Sequence, residues 1–257
     1  MSEIDDEVRK RLESIRAAIR DACARSGRSV SDITLMAVTK TKPAEVIRSL
    51  IALGVRDFGE NYPDETAGKI DAFRAVPTDT RLCMIGSLQS RKAKFVAANF
   101  DEFHSLDSVK TAERMERLLA ELDRTMPALL EINVGGEASK HGWPIGDAAD
   151  GLFRDIERLL TFSRIIPSGL MTLPPYSPIA EANRGYFARM RELLDRVNRT
   201  FGLAWRTLSM GTSDDFETAI EEGATIVRIG TRLVGARDYR RPDEETVKLT
   251  KRSKSVV

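Results

Sequence analysis

The amino-acid sequence predicts an α/β fold: a single closed (β/α)8 barrel, the TIM-barrel architecture, with an extra N-terminal helix. Three observations carry this expectation. Short apolar runs alternate with helix-patterned stretches eight times along the chain. The connections are short, so each strand needs its helix as a crossover, and neighbouring strands lie parallel with both faces buried. Eight such units in 257 residues match a closed barrel, with a doubly wound open sheet as the alternative. No linker or composition break interrupts the pattern. The chain reads as one domain over 1–257, with a helix over 1–27, a barrel core over about 28–240 and a solvated tail over 241–257.

Ile4, Val8, Leu12, Ile15 and Ile19 recur at three- and four-residue steps, one face of a helix that covers an end of the domain, with Gly27 as its terminator. Leu35–Val38 is the first strand, and Pro43 is pre-shaped for the first turn of the helix that Gly54 stops. The second strand runs from Val55 into the polar turn Glu60-Asn61-Tyr62, and its helix extends to about Phe73. Leu82–Ile85 is the third strand. Glu102–Leu106 is the fourth, and Asp107 or Ser108 caps the helix after it. The second half repeats the pattern with strands at Leu129–Val134, Ile165–Thr172, Arg206–Met210 and Thr225–Gly230.

Composition narrows the function. Forty basic residues against 39 acidic ones leave a net charge of +1, which favours neither nucleic acid nor an anionic membrane as partner. Cys23 and Cys83 are the two cysteines, without metal-ligand spacing, and read as free thiols in a reducing compartment. No signal peptide is visible in the first thirty residues, and no apolar run reaches membrane-spanning length. The expected location is cytoplasmic.

Barrel sites are assembled from the C-terminal ends of the strands. Lys40 stands there. By position alone it reads as a solvated lysine just past a strand end. An amine at the mouth of an apolar core, where burial disfavours its charge, is also what a Schiff-base lysine requires, and the rest of the chain favours that reading. Lys42, next to Pro43, reads as solvated. After the eighth strand, Arg228-Ile229-Gly230-Thr231 offers a glycine for close backbone approach and a hydroxyl donor, the setting in which barrels hold phosphate. Ser209 and Gly211 add donors from the neighbouring strand end. The helix beginning near Ser213 is the poorer anion site, because Asp214, Asp215 and Glu217 fill its first turn. No His, Cys and carboxylate cluster for a metal is apparent, and His104 reads as a packed, hydrogen-bonded histidine. A lysine at the first strand and a phosphate cradle at the last two are adjacent once the barrel closes. A cofactor with both an aldehyde and a phosphate is pyridoxal 5'-phosphate (PLP), with Arg228 within reach of its pyridine nitrogen.

The segments AVTKTKP, FGENY, IGSLQSRKAK, HSLDS, INVGGEASKHG, GLMTLP, LSMGTSDDFETAI and VRIGTRLVGARDY run from Ala37 to Tyr239. Together they resemble the pyridoxal phosphate homeostasis family, single-domain relatives of the alanine racemase N-terminal barrel. The resemblance implies Lys40 in aldimine linkage, phosphate contacts from Ser209, Gly230 and Thr231, Arg228 facing the pyridine nitrogen, and Asn61 lining the pocket. It implies a role in cofactor and amino-acid homeostasis without established turnover. Partners would be PLP, free amino acids and PLP-dependent apo-enzymes, and the chain is expected to be a monomer. Some positions depart from the family pattern. Leu82-Cys83-Met84 stands for an aromatic-His-Phe, Thr212 for a methionine and Arg232 for a small residue, and Pro63, Asp64 and Glu65 follow FGENY.

Two enzyme readings compete with the carrier. One is a PLP-dependent racemase or decarboxylase. The other is a phosphate-binding barrel in which Lys40 attacks a sugar carbonyl. Against racemisation, no residue stands out as a second base opposite Lys40, and the chain is expected to end before a second domain that would bring one.

Overall fold

A computed structural model describes residues 3–74, 79–145 and 149–236; the predicted tail over 241–257 lies outside the described residues. Nine strands form one sheet: β1 (Thr34–Val38), β2 (Asp57–Glu60), β3 (Arg81–Met84), β4 (Glu102–Leu106), β5 (Met126–Asn133), β6 (Trp143–Pro144), β7 (Ile165–Thr172), β8 (Thr207–Ser209) and β9 (Ile226–Ile229). Every pairing is parallel. The order β4-β3-β2-β1-β9-β8-β7-β5 closes through β4 against β5. Closure decides against the open sheet, and the eight predicted strands form the barrel. The two residues of β6, inside the predicted Gly-rich loop, pair with Ile132 and Asn133 at the end of β5.

The helices are α1 (Glu3–Ser26), α2 (Ala44–Ala52), α3 (Pro63–Ala67), α4 (Ile70–Arg74), α5 (Ala93–Asn99), α6 (Val109–Glu121), α7 (Ala149–Leu159), α8 (Arg184–Phe201), α9 (Phe216–Glu221) and α10 (Thr231–Val234). α1 buries Val8, Leu12, Ile15 and Ile19. It packs against α2, α9 and α10, across the seam where the last unit meets the first. Ser108 caps α6 by accepting the Thr111 N–H at 3.3 Å. Three local expectations are corrected. Pro43 is the N-cap of α2, not its first turn, because its ψ of 164° is extended. The helix expected to run to Phe73 breaks at Gly68–Lys69 into α3 and α4. The short α10, directly after β9, was not anticipated.

The main core lies between the barrel wall and the helices. The barrel interior is different: among the described residues it holds a small separate apolar layer of Met36, Cys83 and Ile226 with Ile85 against it. Gly59 makes that layer possible, since a Cβ there would lie 2.7 Å from Ile85 Cδ1 and 2.9 Å from Met36 Sδ. At the N-terminal end of the barrel, Arg81 pairs with Asp57 and Glu102, and Glu102 Oε2 lies 2.8 Å from His104 Nε2. Charged residues thus plug one end, and the apolar layer forms the floor of whatever stands at the other.

Candidate functional site

Strand alternation decides where Lys40 points. Residues two apart share a face. Met36 belongs to the interior layer, and Val38 and Lys40 line a cavity above it. On β9, Ile226 is interior in the same way, and Arg228 and Gly230 line the cavity. The cavity, of about 230 Å³, opens at the C-terminal ends of the strands and lies just below the usual range for small-molecule sites. Asn61 after β2, Glu131 on β5 and Met171 on β7 complete its walls.

Arg228 crosses the floor. Its guanidinium donates to Ser209 Oγ at 2.9 Å and to the Thr172 carbonyl at 2.8 Å. Burial pushes its pKa down to about 10, against the pull of Asp215 and Glu131, so it stays charged at neutral pH. Glu131 is raised, first by burial and then by Asp107, while His141, Arg228 and Lys140 oppose the rise. Two buried polar atoms at the cavity have no hydrogen-bond partner among the described residues, Glu131 Oε2 and Asn61 Oδ1.

The opposite end is made by two loops. Gly230 is the N-cap of α10 and Thr231 its first residue. Thr212 and Ser213 approach from the β8 side, and Ser213 Oγ accepts the Arg232 N–H at 3.3 Å. Asp215 shapes this second loop. Its carboxylate accepts the Thr212 N–H at 2.6 Å and an Asn183 N–H at 2.8 Å. The acid expected to repel an anion is therefore used in folding the turn, while Asp214 does line the cavity.

Of the residues singled out from the sequence, Lys40, Asn61, Arg228, Gly230 and Thr231 come together on the cavity wall. Ser209 and Gly211 do not line it. The Ser209 hydroxyl lies beneath, under Arg228. Gly211, at φ 89°, packs on α9, where a Cβ would meet Ala219 Cβ at 2.6 Å. Lys42 lines the cavity as well, and its Nζ donates to the Ala236 carbonyl at 2.6 Å. Sequence reasoning missed Glu131, which it did not consider as a second base, and Ser213. Their contacts are tertiary, though the apolar/polar alternation of Leu129–Asn133 does mark Glu131 as facing the other way from Leu130 and Ile132.

The expectation that no metal-type cluster exists is also corrected. Cys83, Glu102 and His104 offer ligand-type atoms within 4.8 Å of one another. They were invisible as a motif because they come from two adjacent strands about twenty residues apart. Arg81 places positive charge on the same carboxylate, and the His104–Glu102 bond already occupies it, so the arrangement reads as part of the polar plug. Both cysteines are free and buried. Among the described residues, no helix is long and apolar enough to cross a membrane.

The alanine racemase N-terminal domain model matches residues 11–238. The pyridoxal phosphate homeostasis protein of Pseudomonas aeruginosa is 40% identical over 235 residues, which cover 91% of this chain and 98% of that protein. The protein of the same name from Aquifex aeolicus is 39% identical over 230 residues, covering 90% and 98%. Among solved structures, PipY of Synechococcus elongatus PCC7942 with PLP bound is 33% identical, with a TM-score of 0.75 over 89% of this chain and all of its own. An alanine racemase of Clostridium difficile, at 16% identity and a TM-score of 0.70, shares the fold alone. The chain thus belongs to the alanine racemase N-terminal domain family and, within it, to the pyridoxal phosphate homeostasis proteins.

Proposed function

We propose that this chain holds pyridoxal phosphate reversibly on Lys40 and serves cofactor and amino-acid homeostasis in the cytoplasm, without turning amino acids over. The observation that carries the reading is one cavity with Lys40 on its β1 wall, Arg228 on its floor and the Gly230–Thr231 and Thr212–Ser213 loops at one end. The orphaned oxygens of Asn61 and Glu131 fit a polar aromatic ligand with hydrogen-bonding groups on its rim. Pyridoxal phosphate, when bound, supplies an aldehyde that condenses with an amine, a ring that accepts electrons and a visible absorbance. The homeostasis relatives and the PLP-bound PipY support the same ligand.

The chain's own residues then divide the work. Lys40 offers the amine from the β1 side of the cavity wall, where it can condense with a carbonyl. The hydroxyls of Thr231 and Ser213, with backbone N–H groups, take the phosphate. Arg228 acts only as a donor. Facing the ring nitrogen, it would favour the unprotonated form, which would leave the ring a weaker electron sink and suits holding better than catalysis.

Glu131 supports a second reading, an enzyme acting on amino acids, because it places a carboxylate in the cavity in addition to Lys40. Incubating the loaded protein with each amino-acid enantiomer separates the two. The carrier reading expects exchange of the cofactor without multiple turnovers in chiral composition or α-proton exchange. Sustained turnover that is lost in Glu131→Gln would replace it with the enzyme reading, in which a positioned base contributes about 10²–10⁴-fold.

A further inference from the structure

Lys40 and Asn61 are each preceded by a residue that faces the other way. Thr39 and Glu60 lie on the outer side of the barrel wall, fully buried beneath the break between α3 and α4. Lys69 stands in that break, and its side chain is 6% exposed. Its Nζ donates to the Thr39 carbonyl at 2.8 Å and to the Lys42 carbonyl at 3.3 Å. It pairs with Glu60 Oε1 at 2.9 Å and Glu65 Oε1 at 2.7 Å. The two carboxylates extend the grip. Glu60 Oε1 accepts the Thr39 hydroxyl at 2.6 Å, and Glu65 Oε1 accepts the Thr41 N–H at 2.6 Å.

One ammonium therefore binds the carbonyls on both sides of Lys40, and its partner carboxylates bind the side chain before and the amide after. The backbone needs such restraint. Thr41 has a φ of 63°, a left-handed conformation that is strained for a β-branched residue and persists only where its surroundings impose it. The same ammonium holds Glu60, whose Oε1 also takes the Thr39 hydroxyl, so the carboxylate ties back to the residue directly before Lys40. A buried lysine with four oxygen contacts is costly unless its geometry is specific, and here three of the contacts, Thr39, Lys42 and Glu60, fall on the segments at the ends of β1 and β2 that carry the site, the fourth being Glu65 on α3.

From this network we infer that Lys69 is a positioning residue: it locks the turn Thr39–Lys42 so that Lys40 presents its amine to the aldehyde in reactive geometry. The inference rests on the cofactor reading above, and its test separates the two. Three measurements are made on wild type and Lys69→Met. The first is amide hydrogen exchange of the cofactor-free protein. The second is the rate at which visible absorbance develops with pyridoxal phosphate. The third is affinity for pyridoxine phosphate, which has the phosphate and ring but no aldehyde. The expected result for Lys69→Met is faster exchange at Thr41 and Lys42, and capture slowed on the order of 10²-fold, the scale of an ångström misplacement. Affinity for pyridoxine phosphate should be unchanged, and Lys69→Arg should not restore capture, because a planar fork does not reproduce a point charge with rotatable donors. Unaltered exchange and capture overturn the inference. So does equal loss of both ligands, which marks a merely structural role. If Lys69→Met does not fold, Glu65→Ala, which removes the Thr41 acceptor and one of the two carboxylates on Lys69 but leaves the ammonium on Thr39, Lys42 and Glu60, must give the same pattern in weaker form, and its absence also overturns the inference. A wild type that gains no visible absorbance refutes the cofactor reading instead, and the exchange data alone then decide on the clamp.

Discussion

The double variant Ser213→Ala/Thr231→Ala removes the two hydroxyls that stand at the loop end of the cavity. Neither is needed by the fold to any large extent. Thr231 is exposed at the start of α10, and Ser213 gives up a single 3.3 Å bond from the Arg232 N–H. A hydrogen bond to a charged group contributes about 1.5–3 kcal/mol. At about 1.4 kcal/mol per decade, each lost hydroxyl weakens phosphate binding by roughly 10–100-fold. The two sites are neighbours and share the Arg232 backbone, so their effects overlap, and a combined loss of about 10²-fold is expected. Titrating the visible absorbance with pyridoxal phosphate and, separately, with pyridoxal isolates the phosphate contribution. Wild type should prefer the phosphorylated form strongly. The double variant should lose that preference while its affinity for pyridoxal stays as it was. A retained preference would refute the assignment and move the cradle toward Ser209 and Gly211. Ser209→Ala is the contrasting perturbation. Because Ser209 reaches the site through Arg228, it should weaken both ligands alike.

Two further outcomes follow from groups outside the cavity. Burial works against the charge of Glu102, but His104 and Arg81 outweigh it and hold its pKa below the usual carboxylate value. The stability it contributes is therefore present above the unfolded value and lost as pH falls through the folded one. Glu102→Gln should lower the melting temperature at neutral pH, with the gap closing as pH drops below about 4, and a gap that persists in acid would contradict this linkage. Glu116, on α6, accepts the N–H groups of Ser163, Arg164 and Ile165 at 3.0, 2.9 and 2.8 Å and so pins the start of β7. Glu116→Ala should cost about 1.5–3 kcal/mol in urea unfolding without changing cofactor affinity, and a neutral effect on stability would show that water replaces the carboxylate.

The barrel was legible because its information is local. Buried parallel strands leave continuous apolar runs such as Leu35–Val38 and Leu82–Ile85, and helix faces such as Val109, Ala112, Met115 and Leu119 repeat on their own period. Lys40, Arg228, Gly230 and Thr231 were legible for a related reason, since a strand end followed by a turn is visible in the chain and barrel topology places all strand ends on one side. Cross-chain contacts were not. The sequence shows Ser209 at a strand end but not that its hydroxyl is taken by Arg228. It shows Asp215 in a helix's first turn but not that the carboxylate folds the Thr212 loop. Lys69 sits in what reads as a continuous amphipathic helix, and only packing reveals that the helix breaks there and sends an ammonium inward. Glu131 and the Cys83–Glu102–His104 group escaped notice for the same reason: their neighbours come from other strands.

The central claim is that Lys40, and no other lysine, carries the cofactor. The most direct test is borohydride reduction of the protein loaded with pyridoxal phosphate, followed by peptide mass mapping. Lys42 is close enough to compete, since it lines the same cavity, but its Nζ is held by the Ala236 carbonyl. Lys140 does not line that cavity and is held by the carbonyls of Leu173 and Pro174. The account predicts a single stable adduct on Lys40, abolished together with the visible absorbance in Lys40→Ala. An adduct mapping to Lys42 or Lys140, or an absorbance that survives Lys40→Ala, would contradict it.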